Sequence, residues 1–269
     1  MTTQSRGVSV RRVRGIILNN WYVLRHSPLR IMELFYWPFL EVVLWGFIAE
    51  YLRGRSNVPG GVGVFLGAVV LWDVLFRTQQ ELAITYMMSM WDRSIVNLFS
   101  SPLRQIEHVI GDMAFSIVRV AIGATVLIGF TRVAFGFNML DTGRVLAPAL
   151  VILLGFGWAL GMTIRSAVMR FGSNAEVLAW SLAFLLQPVS AVYYPVSSLP
   201  GWLQAVAKAM PTALVFEAVR AFLAYGHVLG SRLVVAAALD LVYLGAAALL
   251  LRRTYRVVRE RGLLSRPGY

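Results

Sequence analysis

Apolar residues in this chain gather in long runs rather than in stripes or alternation. Six of the runs approach the roughly 20 residues that a membrane-crossing helix needs. They cover residues 31–51, 61–78, 113–136, 145–165, 175–193 and 233–251. The pattern predicts an all-α polytopic membrane protein with six transmembrane helices. Ahead of the first run, Val10, Val13, Ile17, Trp21 and Leu24 recur on one helical face, while Arg11, Arg12, Asn19, Tyr22 and His26 lie on the other sides. A continuous apolar arc flanked by arginine predicts an N-terminal amphipathic helix lying in the membrane interface.

Two stretches break the pattern of plain spans. Residues 91–103, WDRSIVNLFSSPL, are too polar to cross a membrane, yet Ile95, Leu98 and Phe99 form an i, i+3, i+4 patch and Pro102 stops the helix. A short surface helix is expected there, either a docking element or a packed loop helix. Between the last two runs, Pro188, Pro195, Pro200 and Pro211 punctuate two short apolar helices at 201–210 and 212–224. Neither is long enough to span. Irregular backbone at membrane depth persists only where protein buries it or where it lines a cavity, so these helices are expected to be re-entrant, with Trp202 at the rim. The whole is read as one domain: a tail and interfacial helix at 1–30, the bundle at 31–251, and a basic tail at 252–269.

Composition removes the soluble alternatives. The chain is 58% hydrophobic and 14% charged, against about a quarter charged in ordinary globular proteins. Its 25 basic and 13 acidic residues give a net charge of +12. The arginines crowd the two ends, from Arg6 to Arg30 and from Arg252 to Arg266. By the positive-inside rule both termini should face the cytoplasm, which an even number of spans also requires. Nucleic acid is set aside as a partner, because the basic residues do not stripe one helix or interleave with exposed aromatics. The absence of cysteine excludes disulfides, thiolate metal sites and thiol nucleophiles. The first run contains Glu33 and Glu41 and lacks a small-residue cleavage site, so it is expected to be retained as a span.

The chemistry that is missing is informative. Lys208 is the only lysine and stands between Ala207 and Ala209, so no phosphate-binding P-loop is present. If ATP drives this protein, another polypeptide holds the nucleotide. His26, His108 and His227 are scattered without metal-ligand spacing. Gly63 with Gly67, and Gly157 with Gly161, suit close helix contacts in lipid. Glu41, Asp73, Arg119 and Asp240 are ionisable groups set within spans. Such groups are functional candidates. They can serve as a proton relay or substrate contact, or as a structural pair between Arg119 and one acid. The pair is preferred, because a relay needs an acid free of a permanent cation. Tyr36, Trp37 and Trp45 belong to an interfacial belt, or line a lateral gate for an amphiphilic substrate.

The run Pro188, Ser190, Tyr194, Pro195, Leu199, Pro200, Trp202 and Leu203, followed by Pro211, Glu217 and Arg220, resembles the signature of ABC exporter permeases of the second class. These include O-antigen polysaccharide, teichoic-acid and small-drug exporters. The resemblance covers nearly the whole chain and implies a bacterial inner-membrane transport subunit that is not itself an enzyme. It implies a second permease copy, and two P-loop ATPase subunits that bind ATP and Mg. Trp91, Asp92, Arg93, Ile95, Leu98, Phe99 and Pro102 would form the helix docking into the ATPase. Arg93 and Ser94 depart from the more acidic, glycine-containing run of many members. The helices after Pro200 would form the outer part of the pathway, fixed by Glu217 and Arg220. The cargo implied is a lipid-linked glycan, a glycolipid or an amphiphilic drug. Two other classes stay open. One is a proton-coupled secondary transporter using Glu41, Asp73 or Asp240. The other is an intramembrane lipid-modifying enzyme using Arg104, His108 and Asp112.

Overall fold

In lipid every backbone N–H and C=O must bond inside the protein, so long apolar runs become long helices. The computed structural model describes residues 9–53, 61–91 and 104–260, and no strand occurs among them. The helices are α1 (Val10–Arg25), α2 (Pro28–Arg53), α3 (Gly61–Trp91), α4 (Gln105–Phe135), α5 (Gly143–Phe171), α6 (Glu176–Val189), α7 (Gly201–Lys208), α8 (Pro211–Tyr225) and α9 (Gly230–Glu260). Short 3₁₀ turns at Met139–Thr142, Gly172–Ala175 and Val196–Ser198 join some of them. Gly136 and Gly226, with φ of 66° and 70°, end α4 and α8 in the left-handed conformation that only glycine adopts without cost.

Among the described residues, four helices are long and apolar enough to cross a membrane: α2, α4, α5 with its preceding turn, and α9. The expected span at 61–78 lies in α3, which is 31 residues long but carries Asp73, Arg77, Gln79, Gln80 and Glu81 through its middle. The expected span at 175–193 is mostly α6, only 14 residues long. That helix stops because Pro188 lacks an N–H and Ala191 takes a φ of 51°, a left-handed conformation.

The centre of the bundle is α5. Of its apolar stretch 61% is buried, against 22–28% for the other three. It packs most extensively against α3 and α9. Glycine sets those distances: a Cβ on Gly157 would come within 2.7 Å of Thr78 Cβ, and one on Gly161 within 2.8 Å of Leu82 Cβ. On α3, Gly63 and Gly67 make room for Phe137 and Leu223. Gly157 and Gly161 thus make the close helix contact their spacing suggested, whereas Gly63 and Gly67 receive side chains from a turn and from α8. Large apolar side chains such as Val133, Val151, Leu185 and Leu241 point outward. Exposure on this scale suits lipid rather than water.

The amphipathic helix forms where expected. The side chains α1 buries are Ile16 and Leu24, while Val10 is 81% exposed and Trp21 faces outward. Ile16 sits on Gly111 of α4. Arg12 and Asn20, on the side of α1 that meets α4, bond to acids there.

Candidate functional site

Among the described residues, polar and charged side chains packed in this bundle fall into three groups. The first lies along α3. Asp73, Arg77 and Glu81 are four residues apart and so share a face. Arg77 Nε donates to Asp73 Oδ2 at 2.6 Å. Its NH2 donates to the carbonyl of Leu34 on α2. That carbonyl needs a partner because Pro38, four residues on, has no N–H to offer. Gly123 of α4 leaves space for the guanidinium, since a Cβ there would meet Arg77 Nε at 3.2 Å. Glu81 pairs with Arg119 of α4. A structural ion pair to Arg119 therefore exists, but its partner is Glu81 rather than Glu41, Asp73 or Asp240. Asp73 is held by Arg77.

Glu41, half-buried on α2, lies within electrostatic reach of Asp73, Arg77 and Tyr193. One turn along, Trp45 stacks on Tyr193 with ring centroids 3.8 Å apart. Gln187 donates to the Tyr193 hydroxyl at 3.3 Å. Trp45 thus points into the protein and fastens α2 to the segment after α6. Tyr36 and Trp37 contact each other edge-on and face outward, 46% and 63% exposed, apart from Trp45.

The second group ties α1 to α4 and α5. Glu107 accepts from the backbone N–H of Ser9 at 2.9 Å, from that of Arg104 at 2.9 Å, and from Arg12 NH1 at 3.2 Å. One buried carboxylate therefore caps the first turns of two helices. Asp112 accepts from Asn20 at 3.1 Å, from His108 at 2.8 Å and from Arg165 at 2.8 Å. The Arg165 guanidinium also lies over the Tyr86 ring, 4.7 Å from its centroid. His108 and Asp112, two of the residues considered for an enzyme, do meet. Both Asp112 oxygens are occupied and a permanent cation sits on one of them, an arrangement suited to holding helices together. Arg104 belongs to the separate Glu107 cap.

The third group organises the short helices. Ser190 Oγ and Thr212 Oγ1 are 2.8 Å apart. Arg220 donates to the carbonyls of Ala191 at 2.7 Å and Val192 at 3.2 Å, satisfying the turn that the left-handed Ala191 creates. Tyr194 donates to the Pro188 carbonyl at 2.7 Å. Partial burial pushes the Tyr194 phenol above its ordinary value. Pro195 precedes the 3₁₀ turn, Pro200 leads into α7, and Pro211 opens α8 at the position where a missing N–H costs nothing. Glu217 pairs with Arg232 of α9, while Trp202 is 73% exposed. Tyr243 donates to the Ala209 carbonyl at 3.3 Å. Tyr243 follows Gly230 by 13 residues, so the α7–α8 turn sits about 20 Å along α9 from its start.

Asp240 stands apart. It is buried on α9 against Gly155 of α5, and its Oδ1 has no hydrogen-bond partner among the described residues. No metal-binding group of acids and histidines occurs among the described residues. Of the predicted docking residues, Trp91 ends α3 and is exposed, whereas Asp92, Arg93, Ile95, Leu98, Phe99 and Pro102 lie outside the described residues.

Sequence reasoning missed Arg77, Glu81, Glu107, Asn20 and Arg165. The i, i+4 spacing of Asp73 and Arg77 was a usable signal. Partners such as Asn20 and Asp112, 92 residues apart, left none. Residues 25–223 match the family described as ABC-2 type transporter. Among curated proteins, none matches the chain.

Proposed function

The chain belongs to the ABC-2 type transporter family, and we propose that it is the permease subunit of an ATP-driven exporter whose ATP is hydrolysed on a separate P-loop chain. As a member it is a multi-pass membrane protein and a transport subunit that works with an ATPase partner. The observation that carries the finer reading is the family match in a chain whose only lysine cannot form a P-loop. Six crossings, through α2, α3, α4, α5, α6 and α9, would put both arginine-rich ends in the cytoplasm. In that arrangement α7 and α8 are re-entrant. The depth of the Ala209 turn against α9, with α8 returning beside Gly230, supports this.

Residues 91–103 join α3 to α4 and are proposed to dock on the ATPase. A push there reaches α3 and α4 directly, and through the Glu107 cap it reaches α1. Two permease copies, each with its own ATPase, would alternate between inward and outward states as ATP is bound and released. The cargo is proposed to be amphiphilic or lipid-linked, and the lipid-facing aromatics Tyr36 and Trp37 would meet it at the α2 surface. The protein contains no cysteine, so Ile95→Cys provides a single reporter. Cross-linking of that cysteine to the ATPase subunit in native membranes is expected. Failure of Ile95→Cys and Leu98→Cys alike to cross-link, in a complex that still forms, would reject the docking assignment.

A proton-coupled transporter remains the second reading, because Asp240 is a buried acid with an oxygen unpartnered among the described residues. Asp240→Asn separates the two. Transport powered by ATP should persist in the variant, whereas transport powered by a proton gradient through Asp240 should vanish at every pH.

A further inference from the structure

Where α9 leaves the apolar part of the bundle, it forms a groove with the start of α4 and one side of α5. The cavity measures 780 Å³ and is open on one side. Its buried wall is apolar, built from Val109, Met162 and Leu251, with the exposed Ile106 at its edge. Its rim carries Arg252, Arg256 and Arg259, spaced i, i+4 and i+7 so that all three share one face of α9, with Arg104 across from them. Glu260 is the one acid on the rim. The three α9 arginines are exposed and have no hydrogen-bond or ion-pair partner among the described residues. The change from apolar wall to basic rim falls at Leu251–Arg252, the predicted end of the last span. The groove therefore straddles the boundary between hydrocarbon and headgroups.

We propose that this groove binds an anionic phospholipid of the surrounding leaflet, with its phosphate held by Arg252, Arg256 and Arg259 and its acyl chains lying on the wall of Val109, Met162 and Leu251. The inference rests on the reading that α9 crosses the membrane with its basic end at the cytoplasmic surface. Charge and shape both select the ligand. A free anion would leave the apolar wall wet, and a neutral lipid would leave three close arginines unneutralised. Interfacial basic pockets between helices attract anionic headgroups, each arginine adding about fivefold in affinity. The volume lies within the range of pockets that enclose small organic ligands. A lipid seated here would bridge α4, α5 and α9 beside the first turn of α4, next to the proposed ATPase-docking segment.

The test uses the full chain purified in detergent and examined by intact-complex mass spectrometry, titrated with phosphatidylglycerol or phosphatidylcholine. Neither ATP nor a partner is needed, so failure here is distinguishable from failure of the exporter reading. Retention of phosphatidylglycerol over phosphatidylcholine is expected, with about a 100-fold loss of affinity when Arg252, Arg256 and Arg259 are all changed to Gln. Arg253→Gln, exposed but off the groove, should bind as the parent does. Equal retention of the two lipids would overturn the site, as would a triple variant that binds normally. So would an equal loss in Arg253→Gln, which would reveal only bulk charge. A triple variant that keeps its lipid but sheds the ATPase would overturn it in favour of a protein surface.

Discussion

Pro38 and Arg77 illustrate how one residue creates a requirement that another meets. Pro38 leaves the Leu34 carbonyl without its helical partner, and Arg77 fills that gap while neutralising Asp73. Arg77→Leu removes both partners at once and leaves a buried carboxylate alone, which should lower stability by about 3–5 kcal/mol. Arg77→Lys, which offers a point charge in place of a fork, should fall between the variant and the parent. Thermal unfolding in detergent checks the order; a Leu variant as stable as the parent would mean that the pair does not hold α2 to α3. Glycine makes a second residue-scale prediction. Gly157→Ala places a methyl within 2.7 Å of Thr78 Cβ and 3.0 Å of the Leu75 carbonyl, so α3 must shift, at a cost of about 1–3 kcal/mol. Gly245→Ala meets nothing within 4 Å and should be neutral or slightly stabilising in the same assay.

At the scale of elements, α1 is held by chemistry rather than by its apolar arc alone. Glu107 caps its first turn and binds Arg12, while Asp112 binds Asn20. Glu107→Ala should release the helix from α4. In an Ile16→Cys background the thiol lies buried on Gly111, and its labelling by a water-soluble maleimide should rise at least about tenfold, following the loss of a charge-assisted cap. Unchanged labelling would show that packing of Ile16 and Leu24 suffices.

Much of the helical plan was legible in the apolar runs, because lipid imposes length and internal bonding on every span. The proline-punctuated short helices were legible too: α7 and α8 begin within a residue of their expected starts. The bonding of α1 to α4 was not, because the acids that hold it lie 92 and 95 residues away. Arg119 does sit in a pair, as its place within a span predicts, but its partner Glu81 lies beyond the predicted end of the span at 61–78. The site residues of the third group were visible through a family pattern. What each one bonds to, such as Arg220 with the Ala191 turn, became visible only in three dimensions.

At the scale of the whole molecule, α5 is the axis on which α3 and α9 are mounted, and the three polar and charged groups lock the helices around it. Such a bundle suits rigid-body motion more than local deformation, because a buried ion pair such as Arg165–Asp112 is expensive to break. The exporter account therefore places the moving contact outside the locks, at residues 91–103 and between copies of the chain. The most direct test is gentle purification of the tagged protein from its native membrane, followed by intact-complex mass measurement and an ATPase assay. The account predicts two copies of this chain with two ATP-hydrolysing subunits, an assembly lost when Ile95, Leu98 and Phe99 are changed together to Asp. A stable assembly without any ATPase, still transporting in proteoliposomes under a proton gradient alone, would contradict it.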